Sequence, residues 1–79
     1  MKRMNKTERT TSSKNIKKIW DAWDYDCSHE STITVTYRDL EGFVNTEEVK
    51  DVRWDGAVIT ESGNFLWSDL EYIMDVTIA

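Results

Sequence analysis

Residues 31–38 read STITVTYR, with apolar and polar side chains in strict alternation. Ile33, Val35 and Tyr37 face one side of an extended chain and the threonines face the other, because successive side chains of a strand point to opposite faces. The stretch therefore predicts a β-strand that presents one apolar face to a core.

Turn residues follow this strand at three places, residues 39–42, 55–56 and 62–64. An Asp-Gly pair between two apolar stretches, as at Asp55-Gly56, is a strong hairpin signal because a type I′ turn needs positive φ at both central residues. The chain has no proline and three glycines, so the turn prediction depends on these places. They predict several antiparallel strands joined by tight turns.

The second predicted strand begins near residue 43 and runs through Val49 and Val52 to Trp54. Val52 and Trp54 share a face, whereas Val49 is out of phase with them. This predicts a bulge or break near residues 50–51. With Trp54 on the core face, we expect its replacement by alanine to unfold the domain or to cost several kcal/mol, and we expect the same of Trp20→Ala.

Three short strands complete the predicted sheet, and one helical turn precedes the last of them. Strands are expected at residues 57–59 and 65–67. Between them and the C-terminus, Ser68-Asp69-Leu70-Glu71 has the S-x-x-E pattern of a capping box, which predicts one turn of helix. The last strand is predicted from the alternation of Met74, Val76 and Ile78.

A helix is predicted over residues 13–26, with Ser12 or Ser13 as its N-cap. Ile16, Ile19, Trp20 and Trp23 fall at i, i+3, i+4 and i+7, which places them on one face. Lysines gather near the start of this helix and aspartates near its end, which opposes the helix macrodipole at both ends. The helix must therefore be stabilised by packing of its Ile/Trp face.

The order of these elements predicts an α+β fold: an N-terminal helix packed on a small antiparallel sheet or SH3/Sm-like barrel of four to five strands. We expect residues 1–11 to form a disordered basic arm, because they lack apolar periodicity. Residues 12–79 are expected to form a single small domain, since 79 residues leave no room for a second one.

Charge is divided sharply along the chain, although the net value is only −5. Residues 1–18 contain seven cations and one acid, whereas residues 19–79 contain fourteen acids and three cations. An acidic body repels nucleic acid and attracts basic protein surfaces. The basic arm has three interpretations: a solvated tail, a weak and salt-sensitive contact with nucleic acid, or a contact with an acidic patch that promotes self-association.

Four features together resemble a known family: the strand at residues 33–37, the restart at Gly42-Phe43, the Val-x-x-Val-x-Trp stretch of residues 49–54 that leads into Asp55-Gly56, and the closing phrase at residues 65–73. They resemble the YolD-like family of small proteins from Gram-positive bacteria and their phages. The resemblance covers about residues 33–76 and implies a compact β-barrel of mobile-element origin. Because some members are encoded beside translesion polymerases, it also implies an accessory role for a DNA-repair polymerase or a regulator. No functional residue follows from it.

Catalytic and metal chemistry find little support in the sequence. Cys27 and His29 stand close together, but a structural zinc site needs four ligands and the chain has no other Cys or His. Cys27 is interpreted as the end of the helix face and His29 as a loop residue. No phosphate-binding glycine loop or Ser/His/Asp order occurs. We therefore expect no catalytic residue, no metal and no cofactor.

Acidic residues are the candidate binding residues. Two clusters stand out, one at the exit of the predicted helix and one on the second strand, and an aromatic residue between two acids is a typical interface anchor. The predicted partner-binding residues are Asp21, Asp24, Tyr25, Asp26, Glu47, Glu48 and Asp51. The alternative interpretation of each acid is solubility.

The resulting hypothesis is a non-enzymatic, small acidic protein of phage or mobile-element type. It would bind and inhibit a basic, nucleic-acid-handling host or defence protein, as a DNA mimic or an anti-CRISPR-like inhibitor does. The YolD-like accessory role is the alternative. Direct nucleic-acid binding is expected to be weak and confined to the arm. No segment predicts a signal peptide or membrane span, so a cytoplasmic location is expected, and the oligomeric state stays open, with a homodimer among the alternatives.

Overall fold

The computed structural model describes residues 4–25 and 32–79, with residues 24 and 25 described as backbone only. One helix precedes five strands. The elements are α1 (Lys6–Tyr25), β1 (Ile33–Arg38), β2 (Val44–Val52), β3 (Val58–Thr60), β4 (Phe65–Leu66) and β5 (Tyr72–Ile78).

The strands form one antiparallel sheet in the order β4-β3-β2-β1-β5, curled into a half-barrel with α1 packed on it. The predicted α+β fold is confirmed. β1 is an interior strand, where Val35 lies opposite Glu47 of β2 on one side and Val76 of β5 on the other. The alternating stretch of residues 31–38 thus lies between two neighbouring strands, and Ile33, Val35 and Tyr37 are buried as predicted.

All three hairpin turns use the same loop, with a glycine at its third position. Gly42, Gly56 and Gly63 have φ of 97°, 93° and 88°, in the left-handed region that glycine adopts at little cost. Each glycine N–H donates to the carbonyl three residues earlier, and one residue later the antiparallel pairing resumes. The turn at Asp55-Gly56 is therefore a three-residue loop with a left-handed glycine, rather than the two-residue type I′ turn that the sequence suggests.

Two register shifts set the faces of the outer strands. The shift between Val49 and Asp51 of β2 lies where the sequence predicts a bulge. The second shift, opposite Thr36 and Tyr37, adds one residue to β5. Because of it, Ile73 is fully buried and Met74 is exposed, so the prediction that Met74 belongs to the apolar face of the last strand is wrong.

The helix is longer than predicted at its N-terminal end. It begins at Lys6, so residues 6–11 are helical and the expected disordered arm over residues 1–11 is wrong for them. The cap is Asn5 rather than Ser12 or Ser13. Asn5 Oδ1 accepts from the N–H of Glu8 at 2.8 Å, and the Glu8 carboxylate accepts from the N–H of Asn5 at 3.0 Å, which is a capping box.

Side chains of α1 form hydrogen bonds with backbone groups at the outer edge of β5. Ser12 Oγ donates to the carbonyl of Glu71 at 2.9 Å and accepts from the N–H of Ile73 at 3.0 Å. Asn15 Nδ2 donates to the carbonyl of Ile73 at 2.7 Å. An edge strand otherwise exposes unpaired backbone groups, and here a helix covers them.

The apolar face of α1 then fills the half-barrel. Ile16 and Ile19 are buried in the core, and Trp20 and Trp23 pack against it from partly exposed positions, as the predicted face requires. The one-turn segment before β5 is also present, although it lies one residue earlier than its pattern suggests. The Glu71 carboxylate accepts from the N–H of Trp67 at 2.7 Å.

Candidate functional site: a tryptophan groove beside acidic residues

Trp54 is the most exposed large apolar side chain of the described residues, at 93% of its surface. It lies in the loop between β2 and β3, beyond the end of β2. The prediction that Trp54 is a core residue is therefore wrong: β2 ends at Val52, and the alternation that put Trp54 on the core face does not continue into the loop.

Trp54 lies beside two other indoles. Trp20 and Trp23, on the last turns of α1, line with it a groove of about 460 Å³, here called the tryptophan groove. The rest of its lining comes from the β2–β3 hairpin, at Val52, Arg53, Asp55 and Gly56. Aromatic side chains provide large apolar contact area at low entropic cost, so three of them around one groove favour binding of another molecule.

A glycine sets the position of the helix against this hairpin. Trp20 Nε1 donates to the carbonyl of Gly56 at 2.8 Å, and a Cβ at Gly56 would lie 2.9 Å from Trp20 Cζ2. The turn needs glycine here both for its positive φ and for the close approach of the indole. The groove is consequently built on a fixed contact between α1 and the hairpin.

Acidic residues lie in a neighbouring depression that shares Trp23 with the tryptophan groove. Its lining includes Ile33, Val49, two carboxylates, of Glu48 and Asp51, and one ammonium group, of Lys50. Glu48 and Asp51 are exposed, and neither forms an ion pair with another described residue. Two of the predicted partner-binding residues thus lie beside the tryptophans.

The one arginine of the tryptophan groove is already engaged. Its guanidinium lies 3.2 Å from the Asp55 carboxylate and 5.3 Å from the centre of the Phe65 ring. Arg53 is thus held on the hairpin by an ion pair and a cation–π contact. Among the described residues, Glu48 and Asp51 have no such partner, and together with Lys50 they give the depression a net negative charge beside the indoles.

The other predicted partner-binding residues do not line this depression or lie outside the described residues. Asp21 is exposed on α1. Asp24 and Tyr25 belong to the last turn of α1, but their side chains, together with Asp26, lie outside the described residues. Glu47 lies on β2 next to Glu48 and therefore faces the inner side of the sheet, away from the exposed Glu48 side chain.

Glu47 belongs to a polar cluster that ties the strands together. Its carboxylate accepts a short hydrogen bond from the Tyr37 hydroxyl, which in turn accepts from Asn64 Nδ2 at 3.0 Å. Burial opposes ionisation of Glu47, but hydrogen bonds from Ser62, Tyr37, Thr60 and Asn64 outweigh it and hold its pKa below the usual range. Burial, with the hydrogen bond and charge of Glu47, raises the pKa of Tyr37 to about 12. We assign this cluster a structural role.

A second carboxylate is buried nearby, at the edge of a cavity of about 280 Å³. Burial raises the pKa of Glu71 above its ordinary value, against the opposing effect of hydrogen bonds from the backbone N–H groups of Trp67 and Glu71. The Glu71 carboxylate accepts a hydrogen bond from the Trp67 backbone of its own turn, so Glu71 acts in local folding.

Neither a cluster of metal ligands nor a membrane-spanning helix occurs within residues 4–25 and 32–79. No group of three or more His, Cys, Asp or Glu residues there is arranged to hold a metal ion. Cys27 and His29 lie outside the described residues. The α1 helix is not long and apolar enough to cross a membrane.

Comparison of the chain with protein-family models, with curated proteins and with solved structures gave no match. The YolD-like resemblance, and the accessory role that it implies, therefore stay predictions.

Sequence reasoning missed Trp54 as a site residue, although a signal was present. An indole directly before Asp-Gly stands at the tip of a hairpin, where strand alternation no longer decides which face is buried. The partial exposure of one or two of the four tryptophans is expected from the size of the chain, since so small a core cannot enclose four indoles.

Proposed function

We propose that this protein is a non-enzymatic binding protein that holds a basic segment of a protein partner at the tryptophan groove. The observation that carries the proposal is the exposure of Trp54, beside Trp20 and Trp23 and close to the carboxylates of Glu48 and Asp51. A long basic side chain has an apolar stem and a cationic head, and this combination of indoles and carboxylates complements both.

The proposal extends to inhibition of the partner. Arginines and lysines that bind phosphates are also the groups that an indole and a carboxylate attract. A nucleic-acid-handling protein whose basic surface is occupied by this groove would lose access to its nucleic acid. In the proposed mode of action, one molecule of this protein occupies one molecule of the partner. The carboxylates increase the rate at which the partner associates, and the indoles slow its dissociation.

The test begins with capture of the partner from a lysate of the native cell at low and high salt, followed by mass spectrometry. Wild type is compared with Trp54→Ala and with Phe43→Ala as the matched control, because Phe43 is also an exposed aromatic residue, at 64%, on a different loop. We expect a basic protein to be retained by wild type and Phe43→Ala and lost by Trp54→Ala. Equal retention by all three variants would contradict the proposal.

The charge contribution is tested on the partner so identified. Glu48→Lys/Asp51→Lys should lower the association rate and flatten its salt dependence. Asp69→Lys/Asp75→Lys makes the same change in net charge at two exposed positions outside the depression, so it controls for long-range steering. If both double variants slow association equally, the local role of Glu48 and Asp51 is wrong.

A further inference from the structure

Among the described residues, the cations near the start of the chain lie on the exposed side of a helix. Five of them lie on the exposed side of α1, and four line a single shallow surface with the hydroxyl residues Thr10 and Ser13. None of the five forms an ion pair with another described residue. We call this surface the cationic face; its cations are Lys6, Arg9, Lys14, Lys17 and Lys18.

The cationic face is preorganised rather than a tail. From Lys6 to Lys18 the helix rises about 18 Å, at 1.5 Å per residue. The helix is fixed on the sheet by Ser12 and Asn15 at β5 and by Trp20 at the β2–β3 hairpin. A ligand would therefore meet an ordered row of cations and pay little for ordering them.

The acids of α1 leave this face almost uninterrupted. Glu8 turns toward the sheet, where its carboxylate lies 2.9 Å from the guanidinium of Arg38. Asp21, near the far end of the helix, is the acid whose side chain is described as exposed on α1. Among the side chains described on α1, the face is thus a stripe of positive charge with one negative charge, that of Asp21, near its end.

We propose that the cationic face binds the phosphate backbone of a nucleic-acid duplex without reading its sequence. A row of cations that form no ion pair with another described residue complements a row of phosphates, and hydroxyls such as those of Thr10 and Ser13 are common phosphate donors. The inference does not depend on the tryptophan groove. If both hold, the protein can contact a nucleic-acid-handling partner with one surface and nucleic acid with another.

Other occupants fit the same face less well. A protein interface has an apolar or aromatic centre and few lysines, whereas this surface is lined by cations and hydroxyls. A membrane-surface helix inserts its apolar face into lipid, but that face of α1 is buried against the sheet at Ile16 and Ile19. A phosphate backbone needs neither an apolar centre nor an apolar face.

The acidic body does not prevent such binding at moderate salt. Apart from Asp21, its described carboxylates lie on the sheet and its loops, and α1 is about 10 Å thick with its side chains. The Debye length at physiological ionic strength is about 8 Å, so charges on the far side of the sheet are largely screened at the cationic face. Binding is expected to be weak, with a Kd of the order of 10–100 μM, as for non-specific contacts.

The test is fluorescence anisotropy of a labelled random-sequence duplex of about 25 base pairs, titrated with the full chain between about 50 and 200 mM salt. Each phosphate contact contributes about 0.9 to the slope of log K against log salt, so five cations give at most about 4.5. Lys6→Gln/Lys17→Gln should lower the slope by about 1.8 and weaken binding at least about tenfold. Lys50→Gln, an exposed lysine of β2, is the control and should change neither value.

A variant of the opposite sign sharpens the test. Asp21→Asn removes the exposed acid of α1 and should tighten duplex binding by about two- to fivefold. Glutamine and asparagine at exposed helical positions leave the fold intact, which circular dichroism verifies. Absence of duplex binding at 50 mM salt would overturn the proposal, and so would binding that Lys6→Gln/Lys17→Gln leaves unchanged.

Self-association is the remaining outcome. If the cationic face instead binds the acidic body of a second copy, sedimentation at about 50 mM salt without nucleic acid would give an assembly that Lys6→Gln/Lys17→Gln dissolves. That result, with no duplex binding, would also overturn the proposal. A monomer that binds duplex through Lys6 and Lys17 would support it.

Discussion

Ser12 offers the sharpest test of how α1 stabilises the fold. Its side chain is fully buried, and its Oγ both donates to the carbonyl of Glu71 and accepts from the N–H of Ile73. Ser12→Ala removes one atom and introduces no steric conflict. The substitution leaves the carbonyl of Glu71 and the N–H of Ile73, at the start of β5, without their hydrogen-bond partner in a buried site.

The magnitude follows from those two groups. A buried polar group without a partner costs about 1–3 kcal/mol, so Ser12→Ala should lower the free energy of unfolding by about 2–5 kcal/mol. A chain of this length has a total of about 4–12 kcal/mol, which makes the change a large fraction of the whole. The melting temperature should fall by at least about 8 °C.

Ser13→Ala is the matched control for this measurement. Ser13 is the next residue of the same helix, but its side chain is exposed. Alanine favours a helix over serine by a few tenths of a kcal/mol at both positions, so the difference between the two variants isolates the contact with β5. The free energies come from urea unfolding followed by circular dichroism.

Amide hydrogen exchange adds a local readout. The N–H of Ile73 should lose protection in Ser12→Ala by more than the global destabilisation explains, because its hydrogen-bond acceptor is gone. If Ser12→Ala and Ser13→Ala unfold within about 0.5 kcal/mol of each other, α1 does not satisfy the β5 edge and the reasoning is refuted.

Three further predictions concern the groove and the polar cluster. Trp20→Ala should lower the free energy of unfolding by about 3–5 kcal/mol, whereas Trp54→Ala should change it by no more than about 0.5 kcal/mol. Equal decreases for the two variants in urea unfolding would contradict the exposure of Trp54. Gly56→Ala should cost at least about 1 kcal/mol more than Gly63→Ala, since both positions need positive φ but only Gly56 has an indole against it. The ionised Glu47 carboxylate stabilises the fold above its unfolded pKa of about 4.5, and that contribution is lost as the pH falls through its lower folded pKa. Glu47→Gln should therefore make the free energy of unfolding depend less on pH in the acid range. An unchanged dependence would show that Glu47 is not ionised in the folded protein.

The sheet was largely predictable because its signals are local. The alternation around Val35, the bulge near Asp51 and the glycine turns each arise from a few consecutive residues, and all appear in the structure. The N-terminal boundary of α1 was predictable too, although the sequence prediction places the N-cap at Ser12 or Ser13 instead of Asn5. Asn5 and Glu8 form the capping box that the sequence already contains at the i, i+3 spacing.

The candidate site was less predictable, since it depends on contacts distant along the chain. Trp20 and Gly56 are 36 residues apart, and their hydrogen bond brings the helix to the hairpin where Trp54 is exposed. The acidic residues that the sequence predicts as partner-binding include Glu48 and Asp51, which lie beside the groove. They also include Glu47, which instead accepts a hydrogen bond from the Tyr37 hydroxyl, ten residues away.

By itself, the sequence determined the secondary structure and the division of charge, because hydrophobic period, turn chemistry and composition are properties of short segments. Only the tertiary structure decided which side chains are available. A register shift in β5 buried Ile73 instead of Met74, and the end of β2 at Val52 left Trp54 outside the core. The packing of α1 on the sheet turned scattered N-terminal cations into one ordered face. The burial of Ile73 and the fixed position of α1 follow from the burial of apolar surface between segments far apart in sequence, which no local pattern specifies.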